Sequence, residues 1–214
     1  MSFKHSCFIS YSHNPGELNK RLIRDLHEAL SNEINTLMRD KDVYIDWERL
    51  RGGDFYNEAL AKALCHSVCM IMVYTPTYFD KNHTFCTREF KAMQEIERKR
   101  LEIAGRCGNH GLIIPIIFRG REYIPQFISN ERHCYFFDNY YLSRGSENIL
   151  ATHRKFSKTI REIAEYIFER YNELSDVWDS SRECNDFRLP SEEDVSPLLV
   201  EFRAPFPGHR EGKS

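Results

Sequence analysis

One carboxylate occupies an unexpected place in this sequence of 214 residues. Glu89 lies in a predicted helix that begins near Thr84, and a rotation of about 100° per residue places it among apolar side chains. Phe85 precedes it by four residues and Met93 follows it by four. A carboxylate on such a surface loses water unless a cavity, a partner or a ligand receives it. Glu89 is therefore a candidate catalytic group; alternatively, an acid in a first turn merely complements the helix dipole.

Two other groups of residues resemble known kinds of site only superficially. Cys65, His66 and Cys69 are potential zinc ligands, but no second pair follows them at zinc-finger spacing. The glycine-rich turn at 105–111 precedes a predicted strand, whereas a dinucleotide-binding fingerprint follows one. We therefore predict neither a metal site nor a dinucleotide fingerprint.

The overall composition limits the classes of partner. The formal net charge is −2 with both signs mixed along the chain, so no global basic field favours nucleic acid or an anionic membrane. The longest apolar runs, 68–74 and 112–118, are much shorter than the roughly 20 residues of a membrane helix. The sequence opens without the apolar region of a signal peptide. These features predict a soluble protein that contacts neither nucleic acid nor membrane.

The seven cysteines predict the cellular compartment. Their number is odd, they are scattered along the chain, and several lie in apolar runs. Such cysteines are typical of reduced, buried residues in a cytoplasmic protein.

Alternating strands and helices must position Glu89. This alternation predicts right-handed crossovers and a parallel sheet with helices on both faces. Ligands bind such sheets beyond the carboxyl ends of the strands, where the segments 12–16, 47–54 and 75–89 gather. Pro115 is unusual for an interior strand because it lacks a backbone N–H. The predicted strands are 6–11, 42–46, 67–75, 112–118 and 134–138, and the predicted helices are 17–33, 55–64, 84–104 and 152–174.

The chain divides into a domain at 1–174 and a C-terminal extension at 175–214. From residue 175 the composition shifts towards acids, serine and proline. The apolar patch at 198–200, with Phe202, is suited to docking on the domain or on a partner, and a disordered extension is the alternative.

Four motifs in order carry a family resemblance. They are Phe8-Ile-Ser-Tyr11, Ile45-Asp46 followed by the run 49–54, Tyr74-Thr-Pro-Thr-Tyr78, and Phe85-Cys-Thr-Arg-Glu89. From about residue 6 to 170 the chain resembles a TIR (Toll/interleukin-1 receptor) domain of the bacterial type. This resemblance implies a flavodoxin-like, five-stranded parallel sheet with helices on both faces.

The resemblance also implies two possible activities, because some TIR domains are adaptors and others cleave NAD. In the enzymes the glutamate that Glu89 matches is catalytic, and NAD is the substrate rather than a cofactor. A tryptophan commonly lies four residues before that glutamate, where this chain has Phe85; an aromatic wall is kept and an indole N–H is lost. The substrate-binding residues that the resemblance implies are Phe8, Ser10, Tyr11, Ser12, Asp46, Glu48 and Phe85.

The expected function is therefore cleavage of the nicotinamide–ribose bond, which gives nicotinamide and ADP-ribose or a cyclic or modified ADP-ribose signal. A stand-alone TIR enzyme that self-associates suits bacterial antiphage signalling, in which a separate effector reads the product. One alternative is a TIR adaptor or virulence protein that acts by association through the loop at 47–54. Another is a nucleoside deoxyribosyltransferase, which has a similar sheet and also uses a glutamate at an N-glycosidic bond.

Overall fold

A parallel sheet forms the centre of the structure, a computed structural model that describes residues 3–12, 17–46, 55–82, 84–105, 110–137 and 154–200. The strands are β1 (His5–Tyr11), β2 (Asp42–Ile45), β3 (Ser67–Tyr74), β4 (Ile113–Ile117) and β5 (Tyr135–Phe136). Their order in the sheet is β2-β1-β3-β4-β5, and each neighbouring pair is parallel. This is the flavodoxin-like order, and it confirms the predicted fold class.

Helices cover both faces of the sheet. The long helices are α1 (Glu17–Leu37), α2 (Phe55–Cys65), α3 (Phe85–Ile103) and α5 (Arg154–Leu174), and a 3₁₀ turn (Arg121–Tyr123) and α4 (Gln126–Ser129) lie between β4 and β5. α1 packs with α5, and α2 packs with α3, which gives one pair on each face. α1 is one turn longer than predicted because Ile34, which is fully buried, extends its apolar stripe. No described helix has the length and low charge needed to cross a bilayer.

Pro115 is accommodated in β4 despite its missing N–H. The Leu112 carbonyl and the Phe118 N–H both bond to β3, so alternate residues of β4 face β3 and the others, including Pro115, face β5. Pairing with β5 begins only at Ile116. The position of the missing Pro115 N–H therefore faces the side of β5 at a point before that strand begins, so no hydrogen bond between the strands is lost.

The described part of the C-terminal extension, 175–200, packs against the domain. Trp178 and Val195 are buried, and Leu198 contacts the core. The predicted docking patch at 198–200 therefore lies on the domain, whereas Phe202 is outside the described residues. The extension contains α6 (Ser180–Glu183), α7 (Glu192–Val195) and a 3₁₀ turn (Ser196–Leu198).

A disulfide bond joins the extension to the end of α2, which corrects the prediction that all cysteines are reduced. Cys65 and Cys184 are bonded across 119 positions of sequence. The spacing of the two cysteines in the sequence does not predict this bond, because it is the fold of the extension that brings Cys184 back onto α2. Cys7 fits the prediction better: it is a buried thiol, and burial raises its pKa to about 12. Two of the seven cysteines therefore do not support the predicted cytoplasmic location.

Replacing Cys184 by Ala should reduce the stability of the oxidised protein. A crosslink that closes a loop of this length restricts the unfolded chain, so we expect a loss of about 2–4 kcal/mol in the free energy of unfolding. Urea denaturation with and without a reductant measures it. The wild type in reductant should unfold close to the variant. Equal midpoints for the oxidised wild type and the variant would contradict the bond.

Candidate functional site

The carboxyl ends of β1 and β3 meet where the strand order reverses. β2 lies on one side of β1, whereas β3, β4 and β5 follow in order on the other side, so the strand order changes direction between β1 and β3. Flavodoxin-like sheets bind their ligands at this switch point. Ser10 and Tyr11 end β1, and Tyr78 follows β3 by four residues. Side chains from both strand ends therefore converge on the position where a ligand is expected.

Glu89 enters this position from α3. Its residue is only 3% exposed, and its Oε2 accepts a hydrogen bond of 2.5 Å from the Ser10 hydroxyl. α3 begins at Phe85 and has no acidic residue in its first turn, so Glu89 lies in the second turn. The carboxylate is thus directed at the sheet, and a surface interaction with the helix dipole does not account for it.

Ser10 and Tyr78 form a chain of hydroxyl groups that ends on Glu89. Ser10 Oγ lies 2.6 Å from the Tyr78 hydroxyl, and both residues are buried. Because Ser10 has one hydrogen and donates it to Glu89, Tyr78 must donate to Ser10. Two donors in series therefore point at the carboxylate. Such donors stabilise negative charge and fix the direction of the side chain.

Phe8 and Tyr44 form an aromatic pair beside this carboxylate. They are register partners on β1 and β2, and their rings stack with centroids 5.3 Å apart. Phe8 is buried, whereas Tyr44 is half-buried. Burial, together with the nearby carboxylates of Asp46 and Glu89, raises the pKa of Tyr44. Its phenol is therefore neutral at physiological pH and available as a donor.

Tyr11 and Ser12 connect the end of β1 to its neighbours. The Tyr11 hydroxyl donates to the Asp46 backbone carbonyl at 2.9 Å, and the Tyr11 carbonyl accepts from Cys86 Sγ at 3.2 Å. Thr77 donates to the Ser12 hydroxyl at 3.1 Å. By the alternation of a strand, Tyr11 lies on the opposite face from Ser10. These contacts bind the ends of β1, β2 and β3 together around the site.

Comparison with known proteins identifies the family. The family model for the TIR domain matches residues 7–150. The chain belongs to the TIR domain family. No curated protein matches it at a significant level. Among solved structures it is similar to the TIR domains of the activated Roq1 resistosome, which directly recognises the pathogen effector XopQ, with 17% identity, coverage of 78% of this chain and 84% of that chain, and a TM-score of 0.39.

A further predicted residue of this TIR domain, Phe85, lies apart from the hydroxyl chain. Phe85 begins α3 one turn before Glu89, is partly exposed, and has the Arg88 guanidinium 5.6 Å from its ring centroid. Residues four apart lie on the same side of a helix, so Phe85 and Glu89 border the same region. Glu48, in the segment 47–54 that the sequence predicts as a loop, lies outside the described residues.

A cavity of about 600 Å³ lies at the amino-terminal ends of the strands in this TIR domain, beside the starts of β4 and β5. The Glu97 carboxylate in its wall accepts bonds of 2.9 and 2.6 Å from Arg132. It also accepts from the backbone N–H groups of Leu112 and Ile113. These partners satisfy the carboxylate, which fixes the start of β4 to α3. Position and chemistry therefore both favour the Glu89 site over this cavity.

The sequence prediction for this TIR domain omitted Tyr78 and Tyr44. Tyr78 ends the motif Tyr74-Thr-Pro-Thr-Tyr78, but one-dimensional spacing does not show that its hydroxyl reaches Ser10. Tyr44 precedes Asp46 by two residues, so the alternation of the predicted strand 42–46 would have placed both on one face. That alternation is a signal from which Tyr44 could have been chosen. No group of three potential metal ligands occurs within the described ranges.

Proposed function

We propose that this TIR domain cleaves NAD⁺ at the bond between nicotinamide and ribose, with Glu89 as the catalytic residue. The observation that carries the proposal is the buried Glu89 carboxylate at the β1/β3 switch point, oriented by Ser10 at 2.5 Å. Membership of the TIR family supports the proposal because that family includes NAD-cleaving enzymes.

The chemistry of NAD⁺ suits a site with a single carboxylate. Nicotinamide in NAD⁺ is a pyridinium, so when the C1′–N bond breaks the electron pair goes to that nitrogen and neutral nicotinamide leaves without an added proton. Positive charge then develops on the ribose, as in the oxocarbenium-like transition state of glycoside hydrolysis. A preorganised carboxylate beside the ring stabilises that charge or holds the ribose hydroxyls. Water attack at C1′, with loss of a proton, gives ADP-ribose.

The surrounding residues supply orientation and binding in this proposal. Tyr78 and Ser10 hold the Glu89 carboxylate, while Phe85 provides an aromatic wall one turn away. The neutral Tyr44 phenol borders the same region. The proposed nucleotide contacts are those that the resemblance implies: Phe8, Ser10, Tyr11, Ser12, Asp46, Glu48 and Phe85.

Incubation of the purified protein with NAD⁺ tests the proposal. Assays at low and high protein concentration, with mass spectrometry of the products, should show nicotinamide and an ADP-ribose product. The two concentrations separate a lack of activity from a requirement for self-association. Absence of nicotinamide at both concentrations would favour the adaptor alternative, in which Glu89→Gln leaves partner binding intact.

A second substrate series distinguishes the deoxyribosyltransferase alternative. The protein is incubated with a deoxynucleoside and a different free base, and base exchange is followed by chromatography. An enzyme that requires a pyridinium leaving group should leave these compounds unchanged. Formation of a new deoxynucleoside would contradict the NAD⁺ assignment.

Tyr78→Phe tests the hydroxyl chain. The variant removes the donor to Ser10 but keeps the ring, so we expect kcat for nicotinamide release to fall about three- to tenfold with little change in KM, which corresponds to roughly 1 kcal/mol. The comparison is Tyr171→Phe on α5, at the other face of the sheet, which should retain both constants. An unchanged kcat in Tyr78→Phe would remove Tyr78 from the site.

The proposal extends to the biological role. A TIR enzyme of this kind would act in bacterial antiphage signalling, releasing ADP-ribose or a cyclic or modified form that a separate effector reads. Assembly through TIR surfaces would control its activity. Product analysis in the assay above identifies which nucleotide is released.

A further inference from the structure

The end of the described C-terminal extension lies on the elements that carry the site. We call residues 189–200 the strap. The Pro190 carbonyl accepts a hydrogen bond of 2.6 Å from Arg88 Nε, and Glu192 accepts one of 3.1 Å from the Thr84 hydroxyl. The Val200 N–H donates to the Phe79 carbonyl at 2.8 Å. The strap therefore contacts both the loop after β3 and the first turn of α3.

Each of these three contacts is made by a residue next in sequence to a residue of the proposed site. Phe79 directly follows Tyr78, Thr84 is the N-cap of α3, and Arg88 directly precedes Glu89. The loop and the first turn of α3 are thus fixed at both ends by one segment. Because a displacement of about 1 Å at a positioned group lowers a rate strongly, the rigidity of this region matters for binding and catalysis.

The strap is itself firmly attached, so it can act as a support. Pro190 and Val195 are buried in the interface with the domain. Ser191 and Asp194 form a capping box at the start of α7, which fixes the turn that follows Pro190. Upstream, the disulfide at Cys184 holds the extension to α2. The strap lies beyond residue 150, where the family match ends.

Arg88 links the strap to Phe85, the proposed aromatic wall of the site. Its guanidinium bonds to Pro190 and lies 5.6 Å from the centroid of the Phe85 ring. An arginine over an aromatic face is attracted to it, so the position of Arg88 restricts the position of the ring. Glu89 is held separately, through Ser10 and Tyr78.

We propose that the strap positions the substrate-binding wall through Arg88, which acts as a positioning residue for Phe85. This inference rests on the proposed function. Because the strap holds Phe85 while the hydroxyl chain holds Glu89, removal of the Arg88 side chain should weaken substrate binding more than it slows bond cleavage. The strap is thus an addition to the TIR domain that determines affinity for the nucleotide.

Steady-state kinetics of Arg88→Ala test this separation. We expect KM for NAD⁺ to rise about tenfold and kcat to stay within about twofold, because the substitution removes a charge-assisted hydrogen bond that also fixes the wall. Arg88→Lys keeps a donor for Pro190 and should recover part of the affinity. The control is Arg98→Ala on the same helix, an exposed residue paired with Glu102, which should behave as the wild type.

Hydrogen exchange keeps the test independent of the activity. The amides of 79–90 should exchange faster in Arg88→Ala than in the wild type and Arg98→Ala. Unchanged exchange, or a wild-type KM in an active Arg88→Ala protein, would overturn the inference. If the wild type releases no nicotinamide, the proposed function fails, and the exchange result alone decides whether the strap holds this region.

Discussion

Glu89→Gln should lower the rate of nicotinamide release by about 100- to 1000-fold or more, the scale expected for removal of one preorganised electrostatic contact. The amide keeps the size of the side chain and can still accept a hydrogen bond from Ser10, so the fold and the hydroxyl chain should persist. What disappears is the negative charge beside the ribose. Because that charge acts mainly in the transition state, kcat should fall while KM changes little.

The assay follows nicotinamide by chromatography at saturating NAD⁺. Its control is Glu102→Gln, at an exposed position on the same helix, which should retain the wild-type rate. Thermal unfolding of both variants shows whether each is folded. A folded Glu89→Gln protein with wild-type turnover would contradict a catalytic role for this carboxylate.

Arg100→Ala should have the largest effect on stability. Arg100 is fully buried between the rings of Phe3 and Trp178, whose centroids lie 4.7 and 4.8 Å from its guanidinium carbon. It donates to the backbone carbonyls of Cys65, Ser67 and Val68. Burial lowers its pKa to about 9, which leaves it charged at neutral pH. The residue thus joins α3, the start of β3 and the C-terminal extension.

Its removal leaves three buried carbonyls without this donor and a cavity between two aromatic rings. We expect the free energy of unfolding to fall by about 3–5 kcal/mol. Arg100→Lys should be intermediate, because one ammonium group does not reproduce the planar fork. Urea denaturation measures both, and Arg98→Ala should unfold as the wild type does. A loss below about 1 kcal/mol for Arg100→Ala would contradict this role.

Arg100 also shows that a charged residue on the apolar side of a helix can have a structural role instead of a functional one. It follows Glu89 by eleven residues, about three turns, so the two lie on the same side of α3. Both are buried, yet the two terminal nitrogens of Arg100 donate to backbone carbonyls near the amino end of β3. Glu89 instead lies at the switch point. The helical periodicity identifies a charged residue among apolar ones. Whether that residue lies near the amino ends of the strands or at the switch point then indicates whether its role is structural or functional.

Much of the fold follows from local patterns. The all-apolar run of β3 predicted a central strand, and the alternation of strands and helices predicted a parallel sheet, as observed. The site depended on longer-range information. That Ser10 lies beside Glu89 could be expected from the shared sheet edge, but the hydrogen bond from Tyr78 to Ser10 depends on how the loop after β3 turns back.

The C-terminal extension was the least predictable part, for a physical reason. Its contacts are single long-range bonds, such as Pro190 to Arg88 and Cys184 to Cys65, without a periodic stripe. A backbone carbonyl is present at every position, so its choice as a partner leaves no trace in residue type. Acidic and proline-rich composition therefore suggested a tail with two possible states, whereas the described residues pack on the domain.

The most direct test of the central claim is a crystal structure of the Glu89→Gln protein with NAD⁺. If the β1/β3 switch point is the active site, the ribose carbon bonded to nicotinamide should lie within about 4 Å of the substituted side chain at position 89, at a distance compatible with reaction. The Phe85 ring should face the nucleotide. Binding of NAD⁺ instead in the cavity by Glu97 and Arg132, with the Glu89 region unoccupied, would contradict the account.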